Sequence, residues 1–238
     1  MEISNKIVLV TGGSQGLGAT LCRHFAACGA HVLVNCAHNR SGAEAVAAEI
    51  GGEACVFDIA DEPAVRQFFG KHPIDILINN ARLDPYKRPE SMSDGDWFDR
   101  MLAVNLKGPY LCSLSAIEQM RKAGQGSIIN ISSVWAKRAA KPPMLEYAMS
   151  KAALHCLTRS LALMAADAKI TVNAVSPGLI LSPQMHERLT NAELAKLTKQ
   201  IPLKRGAQPE EIAAAVEFLV RHDYTTGEIL NVNGGSDF

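Results

Sequence analysis

Tyr147 and Lys151 stand four residues apart in a segment of helical character. That spacing puts both side chains on one helix face, with Cβ atoms about 5–6 Å apart. A phenol with a pKa near 10 is a weak acid at neutral pH, and an adjacent ammonium favours its phenolate. The pair is therefore suited to moving a proton, although a Tyr and a Lys at this spacing are more often a solvated surface pair. A second group of residues lies near the N-terminus, in Thr11-Gly12-Gly13-Ser14-Gln15-Gly16-Leu17-Gly18. Glycines at such a turn permit a tight bend, close approach of backbone to a pyrophosphate, and close helix–sheet packing. The helix that follows presents free N–H groups to phosphate oxygens.

Placing these residues requires alternating strands and helices. Short β-branched runs at 7–10, 31–34, 54–57, 74–78, 127–131, 170–175 and 229–232 are nearly all apolar, the pattern of strands buried on both faces of a parallel sheet. Amphipathic stretches of helical period fill 17–27, 43–49, 62–69, 97–120, 147–164 and 210–220. Asp61 and Ser93 are candidate N-caps, and Gly29 stands where a helix C′ glycine would. The alternation predicts one α/β domain over 1–238, a Rossmann-type doubly wound parallel sheet of about seven strands with helices on both faces. Ligands of such a sheet bind at the carboxyl ends of its strands. The stretch 182–202 breaks the alternation with Pro183 and a polar helical run, as a substrate lid or a plain surface excursion would.

Composition narrows the function classes. The chain has 24 Lys plus Arg against 24 Asp plus Glu, a net charge of zero, and no basic face is evident for nucleic acid. No apolar run reaches the 18 or so residues of a membrane span, and the N-terminus lacks the layout of a signal peptide, so a cytoplasmic protein is expected. The six cysteines (Cys22, Cys28, Cys36, Cys55, Cys112 and Cys156) include no C-x-x-C pair. They are expected to be buried reduced thiols, with neither a metal site nor a disulfide framework.

The glycine spacing Gly12, Gly16, Gly18, followed by Asn79-Asn80-Ala81, Val104-Asn105-Leu106, Ile131-Ser132-Ser133, Tyr147-Ala148-Met149-Ser150-Lys151, Pro177-Gly178 and Asn233-Gly234-Gly235, resembles the short-chain dehydrogenase/reductase family along nearly the whole chain. The resemblance implies hydride transfer between a nicotinamide dinucleotide and a small carbonyl or alcohol substrate, most similar to 3-oxoacyl reductases. It also implies a homodimer or homotetramer built on the two longest helices. Tyr147 would exchange the proton, Lys151 tune it and hold the nicotinamide ribose, Ser133 bind the substrate oxygen, and Asn105 position a water. Ser133 lies fourteen residues before Tyr147, one more than is common in the family. Ser132 is the alternative, which strand alternation should send elsewhere. The implied cofactor set is Gly12, Ser14, Gln15, Gly16, Leu17 and Gly18, then Asp58 and Ile59, Asn80 and Ala81, Tyr147 and Lys151, and Pro177, Gly178 and Ile180.

Cofactor choice rests on the end of the second strand. An acidic residue there binds the adenosine ribose and selects NAD. Cys36 occupies that position, and His38 and Arg40 follow, so NADP (NADPH) is expected over NAD. Gln15 stands where NADP-preferring relatives often carry Lys or Arg. Arg82 replaces the family's glycine after Asn79-Asn80-Ala81, where it would meet an anionic substrate group, the cofactor pyrophosphate or solvent. Pteridine-type, other heterocycle and sugar reductases remain alternatives, as does a dinucleotide sensor without catalysis.

Overall fold

The computed structural model describes residues 1–182, 185 and 188–236. All seven β-branched runs become strands: β1 (Ile7–Val10), β2 (His31–Cys36), β3 (Glu53–Val56), β4 (Ile76–Asn79), β5 (Gly126–Ile131), β6 (Ile170–Pro177) and β7 (Ile229–Val232). They form one sheet in the order β3-β2-β1-β4-β5-β6-β7, and each neighbouring pair is parallel. The order reverses between β1 and β4, so the crevice of a doubly wound sheet opens there. β4 begins two residues later than its apolar run, because the Ile74 N–H is taken by the Gln119 side chain.

The helices are α1 (Gly16–Ala27), α2 (Arg40–Ile50), α3 (Glu62–Phe69), α4 (Asp94–Leu102), α5 (Gly108–Ala123), α6 (Leu145–Ala165), α7 (Asn191–Gln200) and α8 (Pro209–Arg221). Asp61 and Ser93 do cap α3 and α4, and Gly29 follows α1 with φ of +84°. The single helix expected over 97–120 is instead α4 and α5 joined by a π turn, Ala103–Lys107. One extra residue per turn escapes a periodicity count, because each flanking stretch keeps its own helical period on either side of the phase slip. Residues 183, 184, 186 and 187 of the expected lid lie outside the described residues. In α7 no residue is buried, and Thr190 closes its start with a capping box.

Strand alternation divides the core in two. Val8, Val10, Ile76, Ile78, Ile129 and Ile131 face α1, α2 and α8, while Leu9, Leu77 and Ile128 face α3, α5 and α6. The second face carries a buried polar chain. Asn79 Nδ2 donates to Ser113 Oγ at 3.1 Å and to Asn130 Oδ1 at 2.9 Å, and Asn130 Nδ2 donates to Thr158 Oγ1 at 2.9 Å. β4, β5, α5 and α6 are thereby tied at one register.

The apolar residues of the two long helices divide unevenly. Met101, Leu111 and Leu161 are buried inside the protomer, and Tyr110, Met149, Leu163 and Met164 are exposed instead. Four cysteines are buried as expected, but Cys28 is half-buried and Cys156 exposed, and all six are free. Among the described residues no helix is long and apolar enough to cross a membrane.

Asn130→Ala removes the central member of the polar chain and strips partners from Asn79 and Thr158. A loss of about 2 kcal/mol in unfolding free energy is expected. It will register as a lower urea midpoint at unchanged m value.

Candidate active site

The glycine turn is a cradle that tolerates no added atoms. A Cβ on Gly18 would lie 2.0 Å from the Gly12 carbonyl oxygen, and one on Gly12, which has φ of +64°, would lie 2.8 Å from Ala81 Cα. Asn80 Nδ2 donates to the carbonyls of Thr11 and Gly12, at 2.9 and 3.1 Å. Thr11 Oγ1 accepts from the Asn80 and Ala81 N–H groups at 3.0 and 3.1 Å. On the other side, Asn35 Oδ1 accepts from Gly12 N at 3.3 Å while its Nδ2 donates to the carbonyls of Cys55 and Phe57. The turn is thus held by the ends of β2, β3 and β4. Gln15, the N-cap of α1, makes no side-chain cap bond, and Gly16, Leu17 and Gly18 open the helix beyond it. The first N–H groups of α1 therefore face the crevice uncapped, as an anion site requires.

The other cofactor candidates surround this turn. Ser14 packs against the start of α2, where a Cβ on Gly42 would meet its carbonyl at 2.9 Å. Cys36 is the last residue of β2 and is buried, and His38 and Arg40 are exposed just beyond it. Arg40 pairs with Glu44 at 3.5 Å on the α2 surface. Asp58 Oδ1 accepts from Ala60 N, and Ile59 is buried against Gly108. Pro177 ends β6, Gly178 N donates to the Val232 carbonyl, and Ile180 bridges to Ala207. A dinucleotide lying along these strand ends fits the residues present.

The catalytic candidates meet at the carboxyl end of β5. Ser133 ends an extended segment, and its Oγ accepts from Trp135 N at 3.3 Å, which sets its rotamer. From there its hydroxyl bears on Tyr147, opposing the rise in the phenol's pKa. Ser132 turns to His155 instead, at 2.7 Å and two turns farther along α6, so Ser133 is the one that reaches Tyr147. The Tyr147 ring packs in an apolar cluster with Trp97, Met101 and Met144. Lys151 is 2% exposed, its Nζ donates to the Ile131 carbonyl at 2.7 Å, and it lies 5.7 Å from the Tyr147 ring centroid.

Burial sets the electrostatics. It raises the Tyr147 pKa, and the nearby Arg82 charge and the Ser133 hydroxyl only partly oppose it. Burial, then the Arg82 charge, lowers Lys151 from 10.5 to about 7. The expected pull of the Lys151 ammonium on the phenol is thus weakened by that ammonium's own desolvation, and the opposing charge on Tyr147 comes chiefly from Arg82. At neutral pH Tyr147 is a neutral phenol with a proton to give.

Asn105 sits in the π turn, fully buried. Its Oδ1 accepts from Leu83 N at 2.8 Å, and its Nδ2 donates to Ser150 Oγ at 3.1 Å. The side chain therefore links the loop after β4 to α6. Asn35, Asn130 and Thr158 escape a motif reading because each meets a partner distant in sequence. Among the described residues one trio of metal-type donors, His24 on α1, Cys28 just after it and Glu217 on α8, lies within 4.8 Å. Glu217 is already paired there with His24 and Arg221, both at 2.7 Å.

Lys151 is cationic when unfolded up to about pH 10.5 but folded only up to about 7. The unfolded chain binds the extra proton between those values, so this group's contribution to stability rises with pH across that window. Lys151→Met should accordingly gain most over the wild type at pH 7 and lose that advantage toward pH 10. Denaturation at a series of pH values reads the difference, and a flat difference would mean that Lys151 is not desolvated.

A family model described as enoyl-(acyl carrier protein) reductase matches residues 12–237. The chain is 42% identical to an uncharacterized oxidoreductase of Thermotoga maritima, with 99% of each covered. It is 35% identical to a 3-oxoacyl-[acyl-carrier-protein] reductase of Haemophilus influenzae, with 98% of each covered. A solved structure described as a short chain dehydrogenase/reductase family protein has a TM-score of 0.88 at 35% identity, covering 100% of this chain and 99% of that one. The glycine cradle, the Ser133–Tyr147–Lys151 cluster and these likenesses agree: the chain belongs to the short-chain dehydrogenase/reductase family of oxidoreductases.

Proposed function

We propose that this protein is an NADPH-dependent ketoreductase acting on a carbonyl of the 3-oxoacyl type. The observation that carries the reading is the meeting of Ser133, a buried and neutral Tyr147, and Lys151 5.7 Å from the tyrosine ring centroid at the carboxyl end of β5. Two hydroxyls placed in this way can both face one carbonyl oxygen, which develops negative charge as the carbon is reduced. Tyr147 donates the proton to that oxygen, and Ser133 holds it in place. Lys151 binds the nicotinamide ribose and, with a pKa near 7, passes a proton toward Tyr147 after each turnover. Asn105 Oδ1 and Nδ2 are engaged by Leu83 and Ser150, so we assign the water that relays protons to the backbone of the π turn. When bound, the nicotinamide supplies the hydride. Gly12, Ser14, Gln15, Gly16, Leu17 and Gly18 hold its pyrophosphate side, Asp58 and Ile59 its adenine, and Asn80, Ala81, Pro177, Gly178 and Ile180 its nicotinamide half.

Residues 182–202 serve as the substrate cover in this reading, since α7 buries no residue against the body of the domain. The exposed Tyr110, Met149, Leu163 and Met164 on α5 and α6 support a closed dimer or tetramer.

Tyr147→Phe keeps the ring and removes the proton. Turnover of a 3-oxoacyl thioester with NADPH should fall by at least ~10²-fold while dinucleotide binding persists. Near-wild-type turnover in that variant would sink the assignment, and so would a wild type that reduces a 2-enoyl thioester but not the 3-oxo compound.

Cofactor preference is tested separately. His38 and Arg40 lie exposed beyond Cys36 and suit a 2′-phosphate, so kcat/KM should be higher with NADPH than with NADH. Cys36→Asp should shift that ratio toward NADH by repelling the phosphate. A wild-type ratio favouring NADH would contradict the assignment.

A further inference from the structure

The loop after β4 and the segment before α7 bring two cations, Arg82 and Arg188, to one carboxylate, and nothing in the reaction derived above uses them. Arg82 acts electrostatically on both Tyr147 and Lys151. Its Nη1 lies 4.0 Å from Asp84 Oδ1, and Arg188 Nη1, from the segment before α7, lies 3.6 Å from the same oxygen. The two guanidinium nitrogens are therefore within about 8 Å of each other. Neither guanidinium donates a hydrogen bond to an oxygen among the described residues. Two positive charges face one carboxylate, so a net positive charge remains, with unfilled donor forks at both arginines.

The cluster is also held in place. Arg188 stacks on the Tyr86 ring at 4.3 Å and donates to Met185 Sδ at 3.4 Å. Tyr86 N donates to Asp84 Oδ1 at 3.1 Å, and Leu83 N is anchored to Asn105. A preorganised fork loses less freedom on binding than a free surface arginine. Asp84 shows which group the space between the forks takes: the chain itself puts a carboxylate there.

We infer that Arg82 and Arg188 bind a carboxylate on the substrate, so that among 3-oxoacyl ketones the site prefers the free oxo acid over its neutral ester or thioester. Hydride and proton add to the ketone as before, and the carboxylate is unchanged, held between the two forks in competition with Asp84. The inference rests on the reading of Tyr147 as the proton donor. Arg82 touches substrate in this scheme. Asp84 sets how much positive charge the substrate meets.

Acetoacetate and methyl acetoacetate carry the same ketone and differ by one charge. With NADPH and the full chain, kcat/KM should favour acetoacetate by about tenfold or more, the scale of one charge-assisted hydrogen bond. Arg82→Met and Arg188→Met should each erase most of that ratio through KM for acetoacetate. Asp84→Asn should enlarge it. Because Arg82 also acts on Tyr147 and Lys151, only the ratio between the two ketones is diagnostic. Calorimetric binding of both compounds to the Tyr147→Phe protein with NADP gives the same comparison without turnover. Equal affinity for the two, a preference for the ester, or a ratio unmoved in both arginine variants overturns the inference. So does an Arg82→Met effect confined to KM for NADPH, which would put that guanidinium on the cofactor. Loss of turnover with both ketones, beside a calorimetric preference for acetoacetate, would instead strike the reading of Tyr147 and leave the carboxylate site standing.

Discussion

Two asparagines side by side on neighbouring strands, Asn79 and Asn130, hold the layout of the site. An amide in a dry interior must be hydrogen-bonded or it costs the fold dearly. The partners available, Ser113 on α5 and Thr158 on α6, take the two Nδ2 groups in one arrangement of helices over sheet, while Asn79 Oδ1 is left without a partner. Apolar side chains alone would let α6 settle at several depths, since one leucine–isoleucine contact resembles another. A slip of one helical turn would carry Thr158 away from Asn130 and move Tyr147 by about 5.4 Å. The Tyr147 hydroxyl is therefore placed by a polar contact three turns along its own helix.

That rigidity allows a costly electrostatic arrangement. A lysine taken out of water gives up much of its affinity for a proton, and one backbone carbonyl, that of Ile131, offsets only part of the loss. Burial works on Tyr147 in the opposite sense and keeps its proton on. The two groups are pushed toward a common neutral pair by opening a gap between their pKa values, so the proton stays on the Tyr147 phenol and does not pass to Lys151. A more exposed site would hold Tyr147 and Lys151 near their ordinary values, within about half a unit of each other.

The strands were legible in the sequence because a strand buried on both faces can be little else than a short β-branched run, and Ile7–Val10 and Ile229–Val232 match their runs residue for residue. The cap residues Asp61 and Ser93 were legible for a similar reason, since their side chains bond within three residues. Tyr147, Lys151 and the glycine turn stood out through local spacing. What stayed hidden is what depends on long separations. Arg188 meets Asp84 across more than a hundred residues, and Asn105 reaches Leu83 and Ser150 in two other elements. The π turn was hidden for another reason, as was the burial of Met101, Leu111 and Leu161: periodicity shows that a helix has an apolar face but not where its phase slips or how wide a stripe the sheet covers.

The π turn at Ala103–Lys107 amounts to one residue more than an α-helix would need to span the same rise. Such a surplus works as a phase adjuster. It offsets the faces of α4 and α5 by about 100° relative to an unbroken helix. The offset lets Trp97 and Met101 wall Tyr147 while Leu111 and Ile117 pack under the sheet. A continuous helix of the same composition would satisfy one of those two surfaces and miss the other. In this stretch chain length is itself a structural variable: a deletion of a single residue would be felt as a rotation, whereas a like-for-like substitution would be felt only as a change of side chain.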